Sequence, residues 1–263
     1  MSESMVGVRR VLAIDTATDA VVTGVASVDA AGEIRVLADR TVLDHRRHAE
    51  LLTTLIAEAL TQAGVASSDL DAVVVGCGPG PFTGLRVGMA TAAGFADALD
   101  IPVYGVCTLD ALAADTARQR PSASSILVVT DARRREVYWA TYRDGQRQHG
   151  PQVCAPAAVA ELAGAGISGL DAVGVDAFDA VAGSETHLAA VGWTGQSPSL
   201  ITPTVAGLAL AASAVVVDGA PPGPLTPLYL RRPDAVERKD QGLKQNHGVS
   251  QEQGDRGTQV SGR

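Results

Sequence analysis

Residues 76–88 read GCGPGPFTGLRVG. The stretch is dense in glycine, follows the apolar run DAVVV (71–75), and opens into an apolar-periodic helix with Arg86 in its first turn. A glycine-rich turn between strand and helix has two readings. It can aim successive backbone N–H groups at an anion, helped by a helix N-terminus and a lysine, or it can be a rigid turn that aims the helix. Pro79 and Pro81 remove two of the donors, and the glycines at 76, 78, 80 and 84 match neither the P-loop nor G-x-G-x-x-G. On the first reading the candidate nucleotide contacts are Asp15, Thr16, Gly78, Gly80 and Thr83. The following helix carries Gly84, Gly88 and Ala92 four residues apart, beside Met89 and Phe95. Glycine costs about 1 kcal/mol against alanine inside a helix, so two of them imply a close neighbour. That neighbour is either the chain's own sheet or another subunit, and the reading adopted is a helix-to-helix interface with another subunit.

Working outward, residues 9–16, 21–28 and 34–42 read as three strands of an antiparallel meander. A helix over 46–63 follows, with Leu51, Leu52, Leu55, Ile56 and Leu60 at helical spacing. A strand at 71–75, a helix at 84–99, a strand at 101–106 and a helix at 108–118 complete the order β-β-β-α-β-α-β-α. After the polar break RQRPSASS a similar pattern restarts, with a hairpin of strands at 125–131 and 136–143, a strand at 170–174 and a helix at 204–217. Tyr138 and Trp139, adjacent on a strand, point to opposite faces, so at least one is core. The chain is therefore mixed α/β, with a first half over 1–120, a shorter second half over 121–233, and a polar stretch from 234 to 263 whose composition predicts disorder.

Among 263 residues, 46% are hydrophobic, enough to close a large core. No apolar run approaches the length of a membrane span, and the first fifteen residues lack a signal-peptide pattern, so the expected location is cytoplasmic. Cys77, Cys107 and Cys154 are widely spaced and are expected to be reduced and mostly buried. A formal charge of −8 argues against this chain alone gripping a phosphate backbone. His45 and His48 lie i, i+3 at a helix start without a visible third ligand and read as a solvated pair. Arg133, Arg134 and Arg135 form a basic cluster beside Asp131, readable as a contact to phosphate or an acidic patch or as solvated turn charge. H-E-x-x-H and G-x-S-x-G are absent, and no Ser, His and Asp constellation is visible.

Four segments in order carry a family resemblance: VLAIDTATDAVVTGVA (11–26), GPGPFTGLRVGMATAAGFADALDIPVYGVCTLDALA (78–113), DARRREVYWATY (131–142) and PLYLRRPDA (227–235). The chain resembles the bacterial TsaB family, also called YeaZ. This implies a duplicated actin-like ATPase (ribonuclease H-like) fold, each half a mixed five-stranded sheet flanked by helices. It also implies a non-catalytic subunit in tRNA N6-threonylcarbamoyladenosine (t6A) synthesis, which pairs with a TsaD-like protein, helps recruit a TsaE-like ATPase and meets tRNA through the complex. No cofactor is then intrinsic, and ATP or ADP and metal belong to the partner subunits. The family interface is built from the first two helices, giving Leu51, Leu55, Gly84, Arg86, Gly88, Met89 and Ala92 as expected contacts, with homodimers on the same surface when the chain is alone. Where TsaD relatives hold metal with H-x-x-x-H, this chain has Thr108 and Leu112, so no metal site is expected. Asp15 sits where actin-like ATPases place an acid near phosphate, but Ala17 stands at the usual glycine. The alternative readings are an actin-like ATPase or kinase and, more remotely, a glycoprotease-like metallopeptidase.

Overall fold

Strands β1 (Arg9–Asp15), β2 (Ala20–Val28) and β3 (Ile34–Leu43) form the antiparallel meander. Strand β4 (Ala72–Gly76) pairs parallel with β1, and β5 (Val103–Val106) parallel with β4, giving the order β3-β2-β1-β4-β5. In this computed structural model the described residues are 7–44, 48–164, 178–195 and 200–231. The strand expected at 170–174, His45, the side chain of His48 and the tail 234–263 lie outside them.

Every residue of β4 is buried, which a continuous apolar run requires when both faces of its sheet are covered. On one face, Leu12, Ile14, Val73 and Val75 pack against Leu52, Leu55 and Ile56 of α1 (His48–Ala63) and Met89, Ala92 and Ala96 of α2 (Phe82–Leu99). Helix α2 begins at Phe82, two residues before the expected start. Helix α3 (Thr108–Gln119) lies toward the second sheet, placing Leu109, Leu112 and Ala113 in that sheet's core while Ala111 joins the first.

The second sheet holds β6 (Ser125–Asp131), β7 (Val137–Arg143), β8 (Gln146–Cys154) and β9 (Ala180–Ala182) in the order β8-β7-β6-β9. An antiparallel meander is again extended by a parallel strand beside its first member, so the duplication is visible in the pairing. Four strands are described where five were expected, and β8 and β9 were not anticipated. Tyr138 and Trp139 do face opposite sides, and both are buried. Helices α4 (Pro156–Gly164) and α5 (Glu185–Ala190) contribute Val159 and Leu188 to the outer core.

The single helix expected over 204–217 is two, α6 (Val205–Ala211) and α7 (Ser213–Val217). The Ser213 hydroxyl donates to the Leu210 carbonyl at 2.8 Å, a local bond that competes with the helical ladder. Val205, Leu208, Ala209, Ala212 and Val216 cover the remaining face of the first sheet, over Val11, Ala13, Val22 and Val74. A boundary at residue 120 thus separates the two sheets but cuts through their shared packing, and Met1–Arg232 clusters as one compact unit. Segment 221–231 has no regular structure. Its Leu225 packs on the first core, the Leu228 N–H donates to Cys77 O at 2.9 Å, and Leu228 and Leu230 pack on the second core.

Candidate functional site

The glycines of the opening stretch are answered by the chain itself. A Cβ on Gly76 would lie 1.8 Å from Asp15 Oδ2, on Gly80 2.0 Å from Ala17 O, on Gly84 2.4 Å from Thr16 O, and on Gly88 2.3 Å from Thr16 Oγ1. All four therefore admit one short segment, Asp15–Ala17 at the end of β1, against the loop and α2. Thr16 Oγ1 donates to Gly84 O at 2.7 Å and locks that contact.

The expectation that the Gly84, Gly88, Ala92 stripe faces another subunit is corrected: Gly84 and Gly88 are buried against the chain's own strand end, and Ala92 lies in the core beneath the helices. Leu55 and Met89 are also core, held in the layer between sheet and helices, and Leu51 is half-buried. Of the seven expected partner contacts, Arg86 alone is exposed. Periodicity identified the packed face of each helix, and the neighbour on that face is the chain's own core. The outward side of α1 and α2 carries small or polar residues, including Thr53, Ala57, Glu58, Ala90 and Gly94.

Asp15 and Thr16 are buried as well, which corrects their candidacy as ligand contacts. Asp15 accepts hydrogen bonds from Thr108 Oγ1 at 2.7 Å and from Ala17 N at 2.9 Å. Burial pushes its carboxyl up to about 6, against the lowering pull of those two bonds. Gly78 is buried, Gly80 half-buried, and only Thr83 of that set is exposed. Leu112, at the second position of the missing histidine pair, has no donor atom and is fully buried. Among the described residues, no group of three or more His, Cys, Asp or Glu could hold a metal ion. Cys77 and Cys107 are buried thiols, pushed up to about 11 and about 12, chiefly by desolvation.

A cleft of about 180 Å³ lies between the sheets, bounded by Ala17–Asp19, Pro79, Pro81, the end of β6, Arg133, Ser184, His187 and Ile201. The prolines face it, so the wall that would have offered N–H groups to an anion offers rings instead. Arg133 bridges it, pairing with Asp19 of the first half and, at 3.2 Å, with Asp131 of the second. Arg133, Arg134 and Arg135 all have positive φ (61°, 51° and 62°), a left-handed turn held where the Arg133 N–H donates to Asp131 Oδ1 at 2.9 Å. The basic cluster is therefore a hairpin turn whose first arginine ties the halves together.

Sequence reading found no Ser, His and Asp grouping, yet the cleft assembles one. Ser184 Oγ lies 2.7 Å from His187 Nδ1, and His187 Nε2 lies 3.7 Å from Asp131 Oδ1. The acid is beyond hydrogen-bond length, and the ring nitrogens are reversed relative to a serine-hydrolase triad. Ser184 is the N-cap of α5, accepting from the His187 N–H at 3.3 Å, so the pair reads as a helix cap. Ser184→Ala is expected to cost about 1 kcal/mol, or about 3 °C in Tm by thermal denaturation.

A second feature absent from the sequence reading lies outside this cleft. Arg86 Cζ stands 3.8 Å over the Phe82 ring, its Nε donates to Tyr229 Oη at 2.9 Å, and the two rings are 4.9 Å apart. Phe82 and Tyr229 are each 39% exposed. Phe82 precedes Arg86 by one helical turn, a pairing periodicity can suggest, but nothing local points to Tyr229.

The family model described as "TsaD: tRNA N6-adenosine threonylcarbamoyltransferase" matches residues 40–193. An uncharacterized protein of Mycobacterium tuberculosis is 49% identical over 232 residues, 88% of this chain and 96% of that protein. The Escherichia coli tRNA threonylcarbamoyladenosine biosynthesis protein TsaB is 36% identical over 139 residues, 51% of this chain and 55% of its own length. The solved structure of YeaZ from Pseudomonas aeruginosa superposes with a TM-score of 0.66 at 27% identity, covering 84% of this chain and all of that one.

The chain belongs to the TsaB/YeaZ family. The duplicated α/β halves expected from the resemblance are visible in the paired sheets, each an antiparallel meander extended by a parallel strand. Within a TsaB/YeaZ protein the sealed Asp15 and inward-turned glycines describe how the first half is closed against its own strand end. No helix among the described residues is long and apolar enough to cross a membrane.

Proposed function

We propose that this chain acts in tRNA threonylcarbamoyladenosine synthesis as a non-catalytic subunit that binds and organises a TsaD-like transferase. The observation that carries the non-catalytic part is Asp15: the acid at the phosphate-facing position of the fold is fully buried, bonded to Thr108 and overlain by Gly76. A carboxylate so enclosed has no path to a phosphate or its metal ion. The relatives named for threonylcarbamoyladenosine biosynthesis and the transferase model together support the pathway.

In this reading the transferase docks on the outward side of α1 and α2, where Ala57, Ala90 and Gly94 let another helix approach closely. Nucleotide and metal belong to the transferase and to a TsaE-like ATPase that joins the pair, and tRNA is met through the complex. The same face would pair two copies of this chain when no partner is present.

The test mixes the chain with the same organism's TsaD-like protein in size-exclusion chromatography with light scattering. The expected result is a one-to-one complex, lost in Gly94→Arg, which puts bulk on the outer face where a Cβ meets nothing within 4 Å. Modification of tRNA by the transferase is expected to require this chain. Absence of a complex, together with ATP binding by the isolated chain, would overturn the reading in favour of an actin-like ATPase or kinase.

A further inference from the structure

From the Phe82, Arg86 and Tyr229 cluster we infer that the start of α2 is an anchor point where the transferase-like partner places one carboxylate side chain. The inference rests on the scaffold reading and specifies its chemistry. Arg86 Cζ stands over the Phe82 ring, and its Nε donates to the Tyr229 hydroxyl. That leaves the Nη1 and Nη2 edge, whose two parallel N–H groups match the two oxygens of a single carboxylate. Among the described residues no Asp or Glu pairs with Arg86, whereas Arg9, Arg40, Arg133, Arg147 and Arg231 each have an acidic partner.

The guanidinium is held before binding. Phe82 supplies a face and Tyr229 a hydrogen bond from a different part of the chain, so less side-chain entropy remains to be lost on docking. Two rings at 39% exposure around an arginine also match the composition of interface hot spots. The occupant is a protein carboxylate rather than a nucleic acid, because one guanidinium on a chain of formal charge −8 does not hold a polyanion. The prolines and Arg133 belong to a cleft whose lining does not include these three residues.

The test measures the affinity of this chain for the TsaD-like protein by calorimetry, across wild type, Arg86→Ala, Arg86→Lys and Tyr229→Phe. Arg86→Ala is expected to weaken binding about thirtyfold. Arg86→Lys should recover little, since an ammonium has no fork. Tyr229→Phe keeps the ring, frees Nε, and is expected to cost about threefold. Added salt should weaken wild type more than Arg86→Ala. One Asp or Glu of the partner, when neutralised, should cost affinity in wild type and nothing further beside Arg86→Ala. Thermal melts of each variant separate loss of binding from loss of fold. If wild type forms the complex and Arg86→Ala binds equally well, the anchor is overturned while the scaffold reading stands. If wild type forms no complex, the scaffold reading falls and the anchor with it.

Discussion

Gly84→Ala is expected to destabilise the fold by about 3 kcal/mol, about 10 °C in Tm for a domain of this size. The sign is the reverse of helix propensity, which favours alanine by about 1 kcal/mol. The difference comes from the 2.4 Å between the new Cβ and Thr16 O. That oxygen is backbone, and its strand is buried on both faces, so it cannot swing away as a side-chain end could. Gly94 supplies the control within the same helix: a Cβ there meets nothing within 4 Å, and Gly94→Ala is expected to stabilise by about 1 kcal/mol. Chemical denaturation of both variants gives the comparison. Equal stability would mean that α2 is not seated on the end of β1. A bulky residue at Gly88 would strike the Thr16 side chain, whose Oγ1 is held by Gly84 O, before reaching any partner.

Asp15→Asn is expected to raise stability above pH 6 by about 3 kcal/mol, the cost of ionising a carboxyl that burial holds up at about 6, taken at about 1.4 kcal/mol per tenfold. The carboxyl titrates at its ordinary value of 3.8 when unfolded and at about 6 when folded. Between those values the folded chain holds more protons than the unfolded one. The group's contribution therefore falls as pH rises through the window and stays unfavourable above it. Asparagine can keep both contacts, its oxygen accepting from Ala17 N–H and its amide donating to Thr108 Oγ1. Below about pH 4 the advantage should vanish. Denaturant midpoints at pH 4, 5, 6 and 7 test the slope, and a destabilised variant at pH 7 would show that Asp15 is held ionised by favourable partners.

What could be read in advance was what is settled locally. The run AVVVG declares a strand buried on both sides, and the prolines at 79 and 81 argue against an ordinary phosphate cradle without any knowledge of the fold. Strand β8 escaped because QRQHGPQVC is an edge strand, largely polar and interrupted by proline, and β9 because three residues carry no period. The glycine spacing stated that something approaches α2 closely but could not say what, since Thr16 is 68 residues from Gly84 in sequence. Tyr229 is farther still, 143 residues from Arg86. Periodicity reports which side of an element is crowded, and the identity of the crowding neighbour belongs to the tertiary structure.

Helix α6 lends the shared packing of the two sheets a consequence for synthesis. The face of the first sheet formed by Val11, Ala13, Val22 and Val74 is closed by residues 205–216. At translation speeds of roughly 5–20 residues per second, those residues emerge about 10 s after β5. The nascent chain must hold an unfinished apolar face through that interval. A polypeptide released near residue 120 would keep it open, so the first half repeats the architecture yet takes its last wall from helices that follow the second sheet.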